Sequence, residues 1–178
     1  MSYIALLRGI NVSGQKKIPM VELRSILSVA GLDDVRTYIQ TGNVLFNATG
    51  KSIVRLESHI QETIKNHFGF EVDIIVKTPK QLKKIIDDCP FDGPEKLKSY
   101  LTILHDIPEN GLIEEASKKQ YPNEEYYIIN DCIYAHFALG AGKAKFDMKF
   151  FERKFNTIAT TRNYNTMMKL VSLSAENS

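Results

Sequence analysis

Val35-Arg36-Thr37-Tyr38-Ile39-Gln40-Thr41-Gly42-Asn43-Val44-Leu45-Phe46-Asn47-Ala48 is the stretch on which the fold turns. Strand-forming residues alternate on both sides of a Gly-Asn pair, which predicts a hairpin. Glycine in the first central position suits a two-residue type II′ turn. With Gly42-Asn43 as that turn, Ile39/Phe46, Thr41/Val44 and Thr37/Ala48 share one face. Arg36, Tyr38, Gln40, Leu45 and Asn47 share the other. The first face asks for a core; the second is wetter.

Reading outward, Tyr3 to Leu7 is an apolar run that predicts a buried strand. Ile18-Pro19 opens a helix striped by Met20, Leu23, Ile26, Leu27 and Ala30, with Gly31 as its stop. After the hairpin, Ser52 caps a helix carrying Ile53, Leu56, Ile60 and Ile64, stopped at Gly69, and Val72 to Val76 reads as a strand. Residues 3–77 therefore follow the order β-α-β-β-α-β of a ferredoxin-like plait.

Thr78-Pro79-Lys80-Gln81 is a capping-box start for a further helix, striped by Leu82, Ile85, Ile86 and Cys89. Pro90 and Pro94 bracket a loop. The order then repeats. Tyr100 to His105 is a strand, Leu112 to Lys119 a helix, and Glu125 to Phe137 a hairpin turning at Asn130-Asp131. Asp147 caps a helix with Met148, Phe151 and Phe155 on one side. Residues 157–160 make a short strand, and a last helix starts near Asn163. The expected fold class is α+β: two ferredoxin-like halves, antiparallel sheets with helices packed on one face. The expected division is a plait over 1–78, a connecting helix and loop over 79–99, and a second plait-like half with a C-terminal helix over 100–178.

Composition narrows the classes. At 178 residues, 43% hydrophobic and 25% charged, the chain has the make-up of a soluble globular protein, against disorder, collagen and coiled coil. Two cysteines, Cys89 and Cys132, form no disulfide framework and suit a reducing compartment. The apolar run at the N-terminus is too short for a signal peptide or a membrane span, so the expected setting is cytoplasmic with no membrane partner. A net charge of +2 gives no bulk case for nucleic acid.

Charge is distributed unevenly, however. Before Glu22 the only charged residues are Arg8, Lys16 and Lys17, and between Lys143 and Lys169 seven basic residues face Asp147 and Glu152. These two segments are the candidates for an anionic partner.

The loop from Arg8 to Lys17 has a strand–loop–helix setting, and Gly9 and Gly14 have phosphate-loop spacing. The pattern then fails: Gln15 stands where lysine belongs, and no hydroxyl follows Lys16. Nucleotide hydrolysis is set aside, while anion binding by a loop before a helix survives. Gly140-Ala141-Gly142-Lys143 completes neither a phosphate loop nor a dinucleotide fingerprint. The four histidines sit on different elements with no zinc spacing, so neither metal nor cofactor is expected.

Cys132 and His136 would share a strand face about 13 Å apart, too far for a nucleophile–base pair. The hairpin faces bearing Tyr38, Tyr127 and Tyr134 offer base stacking, a cleft or self-association, though no RNA-recognition run is present. Thr160-Thr161-Arg162-Asn163-Tyr164-Asn165-Thr166 carries more polar side chains than one helix cap needs.

These segments resemble a family. Leu6-Leu7-Arg8-Gly9-Ile10-Asn11-Val12, Lys17-Ile18-Pro19-Met20, Glu22-Leu23-Arg24, Asp34 through Val44 and Ala159 through Thr166 are similar to the recurring motifs of a bacterial family filed as a domain of unknown function. Ser13, Thr41 and Tyr164 stand where the family often has Gly, Ser and Trp. The resemblance implies two plait-like subdomains and a bacterial cytosolic setting, and it implies no activity. It supports a shared site around Arg8, Asn11, Gln40, Asn43, Arg162 and Asn163.

In a simple plait, though, the Arg8 loop and the Gly42-Asn43 turn are expected at opposite ends of the sheet. The functional expectation is non-catalytic binding of a phosphate- or nucleotide-like anion by Arg8, Asn11, Lys16, Lys17, Gln40, Asn43, Arg162, Asn163 and Asn165. The alternatives are a self-associating module built on the tyrosine faces and an enzyme of unidentified reaction. Nucleic acid stays open as a partner on the tyrosines alone, and the oligomeric state is open.

Overall fold

The computed structural model describes residues 1–175. In chain order the elements are β1 Ser2–Leu7, α1 Met20–Val29, β2 Asp33–Tyr38, β3 Asn43–Asn47, α2 Ile53–Phe68, β4 Ile74–Lys77, α3 Pro79–Asp87 and α4 Gly93–Leu97. They continue with β5 Tyr100–Leu104, α5 Asn110–Ala116, β6 Glu124–Ile129, β7 Cys132–Phe137, a 3-10 turn Ala141–Lys143, α6 Met148–Phe155, β8 Ala159–Asn163 and α7 Tyr164–Ala175. The chain divides into two compact units, Met1–Lys83 with the described residues from 169 on, and Lys84–Met168. It leaves the first unit inside α3 and returns to it inside α7. The expected division places all of 100–178 in the second half. Here the end of α7 belongs with the first.

The first unit is an antiparallel sheet in the order β2-β3-β1-β4. Period-2 alternation sends Tyr3, Ala5, Leu7, Val44, Phe46, Ile74 and Val76 into one core with Leu23 and Leu27 of α1 and Leu56, Ile60 and Ile64 of α2. The helix signals act as read. Ser52 Oγ accepts from Arg55 N–H (3.4 Å), and Gly69 ends α2 at φ +80°. Pro19 stands at the N-cap of α1 rather than inside its first turn. The other sheet face is buried as well, at Ile4, Leu6, Leu45 and Ile75. The Arg36 guanidinium on that face donates to Leu173 O of α7 (3.2 Å).

The first hairpin corrects the expected register. Thr37 pairs with Val44, Arg36 with Leu45 and Tyr38 with Asn43, so residues 39–42 form a four-residue loop. The slip is an even number of residues, so Thr37, Val44 and Phe46 keep their expected face. Ile39 does not: it leaves the ladder, takes φ +50° and is 47% exposed. The cause lies in Asn43, which is buried and whose amide donates to Tyr38 O and Thr41 Oγ1 (both 3.0 Å), closing the loop from inside.

The second unit repeats the plan as β6-β7-β5-β8, again antiparallel throughout. The closing strand is longer and later than expected, Ala159–Asn163, and it completes a full β-α-β-β-α-β order. Here the predicted hairpin register holds pair for pair, from Ile129 opposite Cys132 to Glu125 opposite His136. Leu104, Ala116, Ile133, Phe151, Phe155 and Ala159 form the core. On the sheet's other face Tyr134 is 1% exposed and its hydroxyl donates to Ile85 O (2.6 Å); burial first, and then the neighbouring Cys132, Asp88 and Cys89, hold its pKa well above the usual tyrosine value. Tyr134 is thus unavailable as a surface ring, while Tyr127 is exposed beside Glu125. The capping box forms as read, Gln81 N–H to Thr78 Oγ1 (3.2 Å) and Thr78 N–H to Gln81 Oε1 (2.8 Å). Asp147 caps α6 through Lys149 N–H (3.0 Å). The short helix α4 stands where the sequence predicts a loop.

Backbone bonds at matching positions tie the two units to one plan. Leu7 N–H donates to Gly42 O and Leu104 N–H to Asp131 O, both at 2.8 Å. Arg8 N–H donates to Asp73 O (2.9 Å), and His105 N–H to Ile158 O (3.0 Å). Each pair fixes the end of a first strand between the hairpin loop and the residue before the fourth strand.

Candidate functional site

Because β1 runs antiparallel to β3, the end of β1 meets the start of β3, with Leu6 opposite Asn43. The β1–α1 loop and the hairpin loop therefore share one end of the sheet. The expectation that they lie at opposite ends is corrected by this strand direction. Gly42, at φ +84°, packs so closely there that a Cβ would stand 2.7 Å from Leu7 Cβ and 3.0 Å from Ile10 Cδ1.

Asn11 clamps the two loops together. Its Nδ2 donates to Gln40 O (2.9 Å) and Ile18 O (3.0 Å), and its Oδ1 accepts from Ile18 N–H (2.8 Å). Every polar position of that amide is used within the chain. Two of the three expected cations are likewise engaged. Arg8 pairs with Asp73 (3.1 Å), and Lys16 Nζ donates to Glu71 O (2.7 Å), tying the loop to the segment before β4. Asn43 closes the hairpin loop, as described above. These four residues build the frame of the loop cluster.

Lys17 and Gln40 are different. Both side chains are exposed and neither makes a hydrogen bond or ion pair among the described residues. Together with Asn11, Gly14, Ile18, Pro19, Met20 and Val21 they line a pocket of about 560 Å³. Its floor is the start of α1. Pro19 has no side-chain oxygen with which to cap, and the first helical bond is Leu23 N–H to Pro19 O (2.9 Å). The amides of Met20, Val21 and Glu22 consequently open onto the helix end, where the peptide dipoles favour negative charge. Sequence reasoning reached Lys17 and Gln40 but missed Met20 and Val21. The signal was Pro19 at the cap: a helix start without Ser, Thr, Asp or Asn.

The remaining predicted residues lie in the second unit. Arg162 is on β8, not at a helix start, and is 8% exposed, with its guanidinium donating to Thr160 Oγ1 (2.9 Å) and Thr161 O (2.8 Å). Burial pushes its pKa down to about 10, so it remains a cation at neutral pH. Asn163 caps α7 by accepting from Thr166 N–H (2.8 Å), and Asn165 donates to Leu97 O (3.4 Å). Both asparagines line a second pocket, of about 600 Å³, with Tyr100, Phe137, His136 and residues of α4. Of the residues beside the asparagines, the sequence singles out His136 alone, as half of the rejected pair with Cys132.

Cys132 is fully buried on the far sheet face. Among the described residues no group of histidine, cysteine and carboxylate side chains could hold a metal ion, and no helix is long and apolar enough to cross a membrane.

Comparison with known proteins bears on family and fold. No curated protein matches the chain. A solved structure, that of the conserved bacterial protein SP0830 from Streptococcus pneumoniae, superposes with a TM-score of 0.72 at 21% identity, over 98% of each chain. That likeness establishes the fold. The profile of the family described as "Protein of unknown function (DUF1697)" matches residues 1–134. The chain belongs to that family.

Proposed function

We propose that this member of the family binds a small anion, without catalysing its turnover, in the pocket at the start of α1. Lys17 supplies the charge, Gln40 an amide donor, and the first-turn amides of Met20 and Val21 the remaining hydrogen bonds. The single observation that carries this reading is an uncommitted lysine beside an uncapped helix start in a pocket of about 560 Å³.

Two further features support it. The β1–α1 connection spans residues 8–19, whereas its counterpart in the second unit spans only 105–109. The core is the same in plan, so the added length belongs to the loop's own task. Backbone strain is concentrated there also: Asn11, Ser13 and Lys16 take φ of 54°, 51° and 45°, and Ile39 takes 50°. A β-branched residue in the left-handed region is costly, and such strain collects at ligand sites. The lining holds no carboxylate, histidine, cysteine or serine, which favours binding over chemistry.

Arg8, Lys16 and Asn43 position this site from outside its lining, and Asn11 lines it with an amide already bonded to Ile18 and Gln40. Titration with inorganic phosphate and sulfate tests the reading. Ligand at about 100 times its dissociation constant stabilises the native state by about 2.7 kcal/mol. The rise in Tm is expected in the wild type and lost in Lys17→Ala, whose unliganded Tm is unchanged because the side chain is exposed. A rise that survives Lys17→Ala, or no rise with either anion, overturns it.

A further inference from the structure

The geometry points to a second, independent site in the second unit, which takes the base of a free nucleoside or mononucleotide. At one end of the sheet the start of β5 and the end of β7 place Tyr100 and Phe137 side by side, ring centroids 5.2 Å apart and planes 31° apart. The pair forms a wall of the 600 Å³ pocket, a volume in the range that encloses a small organic ligand. A shallowly angled aromatic wall favours a flat ring system over an aliphatic chain.

Hydrogen-bonding groups stand next to this wall. Asn163 uses its Oδ1 on Thr166 N–H, which leaves its Nδ2 hydrogens to donate. Asn165 spends one Nδ2 hydrogen on the long bond to Leu97 O, which leaves its Oδ1 to accept. A donor on Asn163 and an acceptor on Asn165, two residues apart, offer the two kinds of hydrogen bond that the acceptor–donor edge of adenine asks for.

The rim carries the groups a sugar and phosphate require. Glu95 and Lys98, on and just after α4, line the same pocket, and neither makes an ion pair among the described residues. The carboxylate accepts from ribose hydroxyls and the ammonium faces a phosphate. A carboxylate at the mouth disfavours a polyanionic strand, and a net charge of +2 adds no general attraction for one. The occupant is therefore a single nucleoside or nucleotide rather than RNA.

Calorimetric titration with adenosine separates this site from the anion pocket, since adenosine carries no charge. Adenosine is expected to bind the wild type and Lys17→Ala equally, and ribose 5-phosphate not to bind in the aromatic pocket. Tyr100→Leu removes half of the wall and is expected to weaken adenosine by about tenfold. Asn165→Ala, an exposed change that keeps the fold, is expected to weaken it severalfold. Lys98→Glu is expected to weaken AMP while sparing adenosine. The inference is overturned if adenosine and AMP fail to bind at millimolar concentration, or if their binding is indifferent to both Tyr100→Leu and Asn165→Ala. It is also overturned if hexa-adenylate binds and adenosine does not, which would assign the pocket to a polymer.

Discussion

The two hairpins occupy the same place in the same plan, yet they are held by different means. In the second, β6 and β7 meet across Asn130-Asp131 and the ladder begins at once, Ile129 opposite Cys132. In the first, four residues separate Tyr38 from Asn43, and the loop is shaped by groups far away in sequence. Leu7 N–H reaches Gly42 O, the Asn11 amide reaches Gln40 O, and Asn43 fills the loop from within. Both turns take a bond from the end of a first strand, Leu104 N–H to Asp131 O in the second as Leu7 N–H to Gly42 O in the first, but the first is shaped by the Asn11 clamp as well. The proposed anion pocket lies beside the first. A loop fixed by remote partners holds strained residues such as Ile39, which a free two-residue turn would shed.

The sharpest way to break this contrast is Gly42→Ala. The new methyl would stand 2.7 Å from Leu7 Cβ, an atom fixed to the backbone of the central strand, at a φ of +84°. Overpacking and left-handed strain together are expected to cost about 3–5 kcal/mol. Urea unfolding measures it as a fall in midpoint at constant m. A loss below about 1 kcal/mol would mean that the hairpin loop moves freely off β1 and that its shape is local after all.

The same contrast explains what the sequence disclosed. Register in the second hairpin was readable because Asn130 accepts a positive φ, observed at 53°, and alternation is clean on both sides. In the first, Gly42-Asn43 imitates such a turn, and Ile39 imitates a core residue opposite Phe46. Nothing within the stretch reveals that Asn11 and Leu7 claim its carbonyls. Helix signals were legible wherever the cap is a neighbour, as at Ser52, Thr78 and Asp147. They failed at Gly93-Pro94, where proline in the first turn starts α4 but reads equally well as loop.

The candidate site follows the same rule. Lys17 and Gln40 were visible as polar residues in loops, but the roles of Arg8, Lys16 and Asn11 depend on Asp73, Glu71 and Gln40, tens of residues away. Arg162 gave no sign of its burial, since a charge in a polar run reads as surface.

A smaller effect tests whether the second hairpin is as self-sufficient as its turn suggests. Tyr134→Phe removes the hydroxyl that donates to Ile85 O and is expected to cost about 2 kcal/mol near neutral pH. The pH dependence has a definite sign. Below about pH 10 the phenol is neutral in both folded and unfolded chains and adds no slope. Above it the unfolded phenol ionises while buried Tyr134, its pKa raised by desolvation, keeps its proton. Stability therefore falls as pH rises, by at most about 1.4 kcal/mol per pH unit from this group. Denaturation between pH 9 and 11 should show a flatter alkaline limb in Tyr134→Phe than in the wild type. Equal slopes would mean that Tyr134 ionises in place.

The smallest expected effect is at the second turn itself. Asn130 holds φ +53°, and its fitness for the position is the tolerance of asparagine for the left-handed region. Asn130→Ala is expected to cost about 1 kcal/mol, and Asn130→Gly to change stability by less than that. The pair matters more than either value. If the turn is local, the two variants differ by the conformational preference alone, and the anchor at Tyr134 adds its cost independently, so Asn130→Ala combined with Tyr134→Phe should be additive within about 0.5 kcal/mol. Strong non-additivity would show that the turn conformation is imposed through the sheet by the contact with α3. The second hairpin would then be held as the first is, and the difference between them would be one of loop length only.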